Sequence, residues 1–229
     1  TRAIDSRAGE YRDDMGSSSH RNAYPNGYDY DSTGRLHATW VWRESAVGVN
    51  HDLCYDYSDD GGNTWFNDFG QPIQGPASID TPFLTVERIG LRQGLMNNQA
   101  QAVDSRNRVH VVMWHSSTTT TPTAKGGELL GPPADRRFHH YWREAPGVWH
   151  DEVIPCEAGS RPRMYVDDHD DLFLVYGRLH ADKALAGGYY APSDLVIATA
   201  SARERWRDWS IVTEEKGPFI NEMLADPAR

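Results

Sequence analysis

"YSDDGGNTW", residues 57–65, is the stretch that decides the fold. Ser58, Asp60, Gly62, Thr64 and Trp65 stand at a spacing that suits a tight turn. The short oxygen-bearing side chains of Ser58 and Asp60 can cap backbone N–H groups that such a turn leaves free. Gly62 supplies a positive φ without steric cost. A loop in water has no use for the tryptophan, so Trp65 is expected to pack between neighbouring sheets. The reading is a hairpin turn that ties strands together, not a reaction site.

Working outward, the chain repeats itself. "YDYDSTGRLHATWVWRE" (28–44), "QAVDSRNRVHVVMWHS" (101–116) and "YVDDHDDLFLVYGRLH" (165–180) share an aspartate-rich turn followed by a β-branched, aromatic and leucine-rich run. The runs alternate as strands do. Asp31, Asp104 and Asp167 take matching turn positions. Each segment is followed by a second strand pair with a tight turn and a tryptophan: Trp65, Trp149 and Trp209. The unit reads strand, strand, loop, strand, turn, strand. The Pro/Gly-rich "GQPIQGPASIDTPF" is expected as a loop after the first unit, and "STTTTPTAKGGELLGPPAD" as a loop inside the second. Helices are not expected beyond short turns near "ERIGLRQG".

S-x-D-x-G-x-T-W is the Asp-box signature, and repeated four-stranded antiparallel sheets arranged radially make a β-propeller. The fold class is therefore all-β, a propeller of four-stranded antiparallel blades. "GPFINEMLADP" near residue 220 reads as the inner strand of a fourth unit. Three blades and a start cannot close a ring without leaving strand edges open. The expectation is one domain over residues 1–229 with an incomplete set of blades, part of a longer propeller.

The totals agree with a sheet protein and remove some function classes. The chain of 229 residues is long enough for one domain with a real core. Eight Trp and eleven Tyr suit sheets, a sugar-binding surface, or both. A formal net charge of −10 argues against a nucleic-acid partner, although a local basic cleft can still hold an anion. No apolar run is long enough to span a bilayer, which leaves no membrane partner. Cys54 and Cys156 have no CxxC spacing; they could pair, stay free in the core or help bind a metal.

Chemistry is expected just before the first strand of each unit, where "SSSHRNAYPNGY", "GLMNNQAQ", "GSRPRMY" and "FINEML" gather polar groups. They include His20, Arg21, Asn22, Asn26, Asn97, Asn98, Gln99, Arg161, Arg163, Asn221 and Glu222. Titratable groups lie nearby: His51, His115, and His139, His140 and Tyr141 of "FHHYW". Alternation puts His140 on the face opposite His139 and Tyr141.

"NGYDYDSTGRLHATWVWRE", "NHDLCYDYSDDGGNTW", "FHHYWRE", "RPRMYVDD" and "GPFINEMLADP" together resemble BNR-repeat proteins. These are Asp-box β-propellers that include uronate-directed polysaccharide lyases such as ulvan lyases; sialidases carry the Asp box too. The resemblance implies β-elimination at a 4-linked uronic acid in an acidic polysaccharide. That reaction needs the carboxylate neutralised, the C5 proton removed and the leaving oxygen protonated. Carried over by motif, Arg163 or Arg161 would neutralise the carboxylate, and Tyr141 would be base, acid or both. His115 would assist as a third catalytic residue. Asn98, Arg161, His140, His51 and Asn221 would contact substrate. Asn98 stands where related lyases often carry a histidine; its amide can bind a carboxylate but cannot act as a base.

A glycoside hydrolase of the same repeat class and a non-catalytic sugar-binding propeller are the alternatives. A hydrolase would need a carboxylate pair or a tyrosine nucleophile with an arginine cluster; Glu222 and Asp226 are candidates. The elimination needs no cofactor. A structural calcium or zinc ion is possible, and "DDHDD" (167–171) is a weak calcium candidate beside its reading as a solvated turn. A polymer substrate implies a secreted or periplasmic protein.

Overall fold

A computed structural model describes residues 7–13, 16–44, 49–96, 100–117, 135–179 and 193–219. After a short hairpin, β1 (Tyr11–Asp13) and β2 (Gly16–Ser18), the described strands form three four-stranded antiparallel sheets. The first sheet holds β3 (Arg21–Tyr30), β4 (Leu36–Glu44), β5 (Val49–Ser58) and β6 (Thr85–Glu87), in chain order. The middle sheet holds β7 (Ala100–Val103), β8 (Val109–Ser116), β9 (Arg136–Ala145) and β10 (Val148–Glu157). The third holds β11 (Arg163–Val166), β12 (Leu172–Leu179), β13 (Ser193–Ala200) and β14 (Ser210–Phe219).

The three matching aspartates each close the first hairpin of a sheet. Asp31 Oδ1 accepts from the N–H groups of Thr33 and Arg35, both at 2.9 Å. Asp104 does the same for Arg106 and Arg108 (3.0 and 2.8 Å), and Asp167 for His169 and Asp171 (2.8 and 2.9 Å). The turns also fasten sheet to sheet. Ser32 donates from its N–H and its Oγ to Asn107 Oδ1 (3.1 and 2.7 Å). One sheet on, Ser105 donates the same two groups to the carboxylate of Asp170, both at 2.8 Å. Asn107 and Asp170 sit at φ of 63° and 64°, residue types that tolerate the left-handed region. Three of the "DDHDD" carboxylates, those of Asp167, Asp170 and Asp171, are thus engaged by the chain itself, Asp171 accepting from Ala202 N–H at 2.8 Å.

Neighbouring inner strands touch, β3 against β7 and β7 against β11. The approach is close enough that a Cβ on Gly27 would lie 2.5 Å from Gln101 Cβ. Apolar residues fill the spaces between sheets. Val41, Leu53 and Tyr55 meet Val109, Val111 and Met113 between the first and middle sheets. Trp114, Phe138 and Ile154 meet Leu174, Tyr176 and Trp206 between the middle and third. The outer face of the first sheet buries Trp40, Trp42 and Trp65.

The Ser58–Trp65 turn folds as its residue types require. Gly62 N–H reaches Ser58 Oγ (2.8 Å), and Asp60 Oδ1 accepts from the N–H groups of Asn63 and Thr64 (3.0 and 2.8 Å). Gly62 has a φ of 90°. Three expectations are corrected. The Pro/Gly-rich loop lies inside the first sheet, between the turn and β6, because Phe66 bridges back to Tyr57 and Pro72 before the chain reaches β6. Gly217–Phe219 end β14, the last strand of the third sheet, and the rest of "GPFINEMLADP" lies outside the described residues. Arg21 and Asn22 are already paired within β3 and do not precede it. Cys54 and Cys156 are free and buried.

Candidate functional site

One face of the middle sheet, turned toward the first, carries an uninterrupted row of polar rings. Val111, Met113 and His115 alternate onto that face of β8, as do His139 and Tyr141 of β9 and Asp151 of β10. Register sets Tyr141 opposite Asp151 and places His139 beside Met113. Tyr141 Oη and His115 Nε2 are 2.8 Å apart, and His115 Nδ1 lies 3.0 Å from the carbonyl of Ser116. A carbonyl can only accept, so Nδ1 carries the hydrogen and Nε2 offers its lone pair to the tyrosine hydroxyl. The His139 ring stacks on His115 with centroids 3.7 Å apart. His139 Nδ1 donates to Asp151 at 3.1 Å, and its Nε2 is buried without a hydrogen-bond partner.

Burial sets the protonation states. His115 is held down to about 4, first by desolvation and then by His139. Tyr141 is raised well above its ordinary value, by burial first and then by Asp151 and Glu87. At neutral pH the pair is a phenol donating to a neutral imidazole. Glu87 of β6 is raised as well, by burial and then by Asp151, so carboxyls from two sheets share this neighbourhood. Tyr141 and His115 are 1% and 4% exposed, whereas the Asp151 side chain is 42% exposed. Asp151 is the edge of the row that water reaches.

The other expected site residues fall into different surroundings. His140 lies on the opposite face, fully buried; it donates from Nε2 to His110 Nδ1 (3.0 Å), and His110 Nε2 donates to Asp104 (3.2 Å). Its ring stands edge-on to Trp206 and Trp209. The sheet itself separates it from Tyr141. His51 is fully buried in a charged chain in which Glu44 binds it at 3.1 Å and Arg21 at 2.8 Å, with Asp52 on its other nitrogen at 3.1 Å. Burial pulls the His51 pKa down, but Asp52 and Glu44 hold it above its ordinary value. Arg163 opens β11, and Arg161 precedes it; both are half-buried at the start of the inner strand that adjoins β7. Asn98 and Asn221 lie outside the described residues, as do Glu222 and Asp226. Asp151 and Glu87 were not foreseen. Asp151 had a signal, its alternation with Val153 on a strand after "FHHYW"; Glu87 had none, because its strand is only three residues long. Among the described residues no group of three His, Cys, Asp or Glu side chains is arranged to hold a metal ion.

Residues 4–155 match the family of BNR repeat-containing proteins. No curated protein sequence matches the chain. Among solved structures, the chain is similar to a PL25 ulvan lyase bound to -[GlcA(1-4)Rha3S]-, with a TM-score of 0.59 and 14% identity over 90% of this chain and 46% of that one. A second PL25 ulvan lyase structure gives 0.58 and 13% over the same shares. The polysaccharide lyase Uly1 gives 0.50 and 14% over 85% of this chain and 37% of that one. At such identities the likeness is one of fold, and the chain spans less than half the length of each structure.

Proposed function

The chain belongs to the BNR repeat-containing family, and from that premise we propose that it is part of a polysaccharide lyase cleaving a uronate-containing polymer by β-elimination. In this reading the three sheets are blades of an incomplete propeller forming one domain of a larger ring. Contact between successive inner strands supports it. Family membership alone does not decide the chemistry, since the family also holds proteins that are not lyases. The observation that carries the reading is the 2.8 Å hydrogen bond from the Tyr141 phenol to a neutral His115 whose tautomer is fixed. The -[GlcA(1-4)Rha3S]- bound in a similar structure supports the substrate class.

Arg163, with Arg161, neutralises the uronate carboxylate, which makes the C5 proton removable. Tyr141 passes its proton to His115 Nε2 as its oxygen takes the C5 proton. The re-formed phenol then protonates the leaving O4, a C4=C5 double bond forms, and imidazolium returns its proton to the phenolate. The burial and carboxyls that keep Tyr141 protonated at rest oppose phenolate formation. Guanidinium charge from Arg163 has to offset them, so its loss should lower kcat as well as binding. No metal or redox cofactor enters these steps. A secreted or periplasmic location belongs to the same proposal, because a polymer of this kind lies outside the cytoplasm.

The test is direct. Uronate polymers are incubated with the protein and the ultraviolet absorbance of the unsaturated product is followed. Absorbance should rise with the parent and fail to rise with Tyr141→Phe or Arg163→Ala. Cleavage without that absorbance would mean hydrolysis and sink the elimination.

A further inference from the structure

At the turn end of the molecule a cavity of about 430 Å³ lies between the middle and third sheets. The middle sheet itself separates this cavity from the Tyr141–His115 pair: Trp142 lines the cavity from one face of β9, Tyr141 lies on the other, and β8 carries His115 toward the opposite end. Its walls include Arg106 and Arg108 from the β7–β8 turn, Trp142 from β9, Asp170 from the β11–β12 turn, and Arg203 and Arg205 from the β13–β14 turn. In a chain of net charge −10, four guanidiniums against the carboxylates of Asp170 and Glu144, which line the cavity beside His169, still leave a local reversal of sign.

The turn that delivers Arg205 is where the third sheet departs from the first. Ahead of Trp65 the first sheet has Gly61 and Gly62 in the left-handed region, at φ of 68° and 90°. The corresponding residues ahead of Trp209 are Arg205 and Trp206, at 55° and 56°. Side chains with a Cβ are strained there, and strain of this kind persists only where the surroundings hold it. Here Trp206 N–H donates to the Ser201 carbonyl and Trp206 Nε1 to the Asp170 carbonyl, both at 2.8 Å. The result is an ordered wall. Trp206 lies under the Arg108 guanidinium at 4.5 Å, and Arg205 stands 5.4 Å from the Trp142 ring and 3.2 Å from Glu144.

The four arginines divide into two kinds. Arg108, bound to Asp104 at 2.5 Å, and Arg205, bound to Glu144, are fixed and largely compensated. Arg106 makes no ion pair among the described residues, and Arg203 meets Glu204 at 3.7 Å with its side chain 90% exposed. The least compensated charge is theirs, that of Arg106 above all. Trp142 and Trp206 are 4% and 1% exposed, so neither offers a face on which a neutral sugar could stack. The cavity is built to read charge.

We propose that this cavity binds an oxyanion, the sulfate ester or carboxylate of an acidic glycan, at a site separate from the elimination chemistry. The choice of a glycan as carrier rests on the proposed function; the oxyanion chemistry does not. Sulfate is titrated into the full chain and followed by tryptophan fluorescence, with Arg106→Ala/Arg203→Ala as the comparison. Both substituted side chains are exposed, and melting without sulfate checks the fold. Saturable binding should weaken at least tenfold in the double variant and fall as sodium chloride is added. If the alanine variant melts lower, Arg106→Glu/Arg203→Glu replaces it and should abolish binding. Equal affinities, or no saturable binding by the parent, overturn the site. Displacement of sulfate by a uronate oligosaccharide supports a carboxylate carrier, and displacement only by a sulfated one supports the ester; displacement by neither overturns the glycan. The ultraviolet assay on the same preparations is read separately. A parent that forms no unsaturated product refutes the lyase and leaves the sulfate titration standing.

Discussion

Two tyrosine–histidine pairs in this protein share one bond length. Tyr55 Oη lies 2.8 Å from His37 Nδ1 in the first sheet, and Tyr141 Oη lies 2.8 Å from His115 Nε2 in the middle one. All four side chains are buried. What differs is recurrence. The first pair ends at Asp31, the turn aspartate, through His37 Nε2 at 3.2 Å; the middle sheet repeats that lock as His140–His110–Asp104. The second pair has no counterpart. By register and by position after the turn aspartate, Tyr141 corresponds to Asp56 and Ala198, and His115 to Trp42 and Arg178. In a repeated fold, a recurring contact is explained by the repeat. A polar contact that breaks the repeat needs another reason, and the Arg205–Trp206 turn is a second such break.

Substitutions can break or sharpen this contrast. The largest expected effect is on Tyr141→Phe, which should lower turnover about 10²- to 10⁴-fold and, with the buried bond to His115 lost, cost about 1 kcal/mol of stability. Tyr55→Phe should keep turnover within about twofold and lose about 1 kcal/mol of stability. Reversed outcomes in the ultraviolet assay would abolish the distinction. Next comes Asp104→Ala, which removes acceptors for the Arg106 and Arg108 N–H groups, the Arg108 guanidinium and His110. Urea denaturation should show a loss of about 2–4 kcal/mol, while Asp151→Asn, at a partly exposed side chain, should cost far less. Asp151→Asn should instead appear in kcat, roughly a five- to tenfold loss equivalent to about 1 kcal/mol, because it weakens the hydrogen bond that holds His139 against His115.

The smallest expected effect is in the pH profile. With His115 near 4, kcat/KM should fall by only about a tenth between pH 7 and 5, where a histidine at 6.5 would lose roughly 25-fold. A limb at pH 6.5 would contradict the assigned base. Stability follows the same sign. Burial lowers His37, His110, His115 and His140, so each binds its proton less readily folded than unfolded. Their contribution is present above about 6.5 and is lost as pH falls through the lower folded values. His51, raised, runs the other way and loses its contribution as pH rises. Melting temperature should therefore drop on acidification from pH 7 to 4.

Much of the fold was legible because its determinants are local. Asp31, Asp104 and Asp167 close turns with their own neighbours, and Ser58, Asp60 and Gly62 do likewise. The strand alternation that separates His140 from Tyr141 is also local. The interior of the first sheet was less legible: Leu84 and the short β6 are fixed by hydrogen bonds to β5, including Tyr55 N–H to the Leu84 carbonyl at 3.0 Å, across a long irregular segment. The site was half legible. His115 and Tyr141 stood out as ring residues in strands, but Asp151 and Glu87 join them only through pairing of strands distant in sequence. The burial of Arg21 against Glu44 had no sequence signal, since nothing in "HRNAY" marks a cation for the interior.

The serine latches, Ser32 on Asn107 and Ser105 on Asp170, all sit at the turn end of the sheets. Asp68 adds a rivet on the same side, holding Arg143 at 2.6 Å and the Gly147 N–H at 2.8 Å. Sheets bound this way behave like pages sewn along one margin. Thermal or ligand-driven widening between the first and middle sheets pivots on that margin and grows toward the opposite one, where His115 lies.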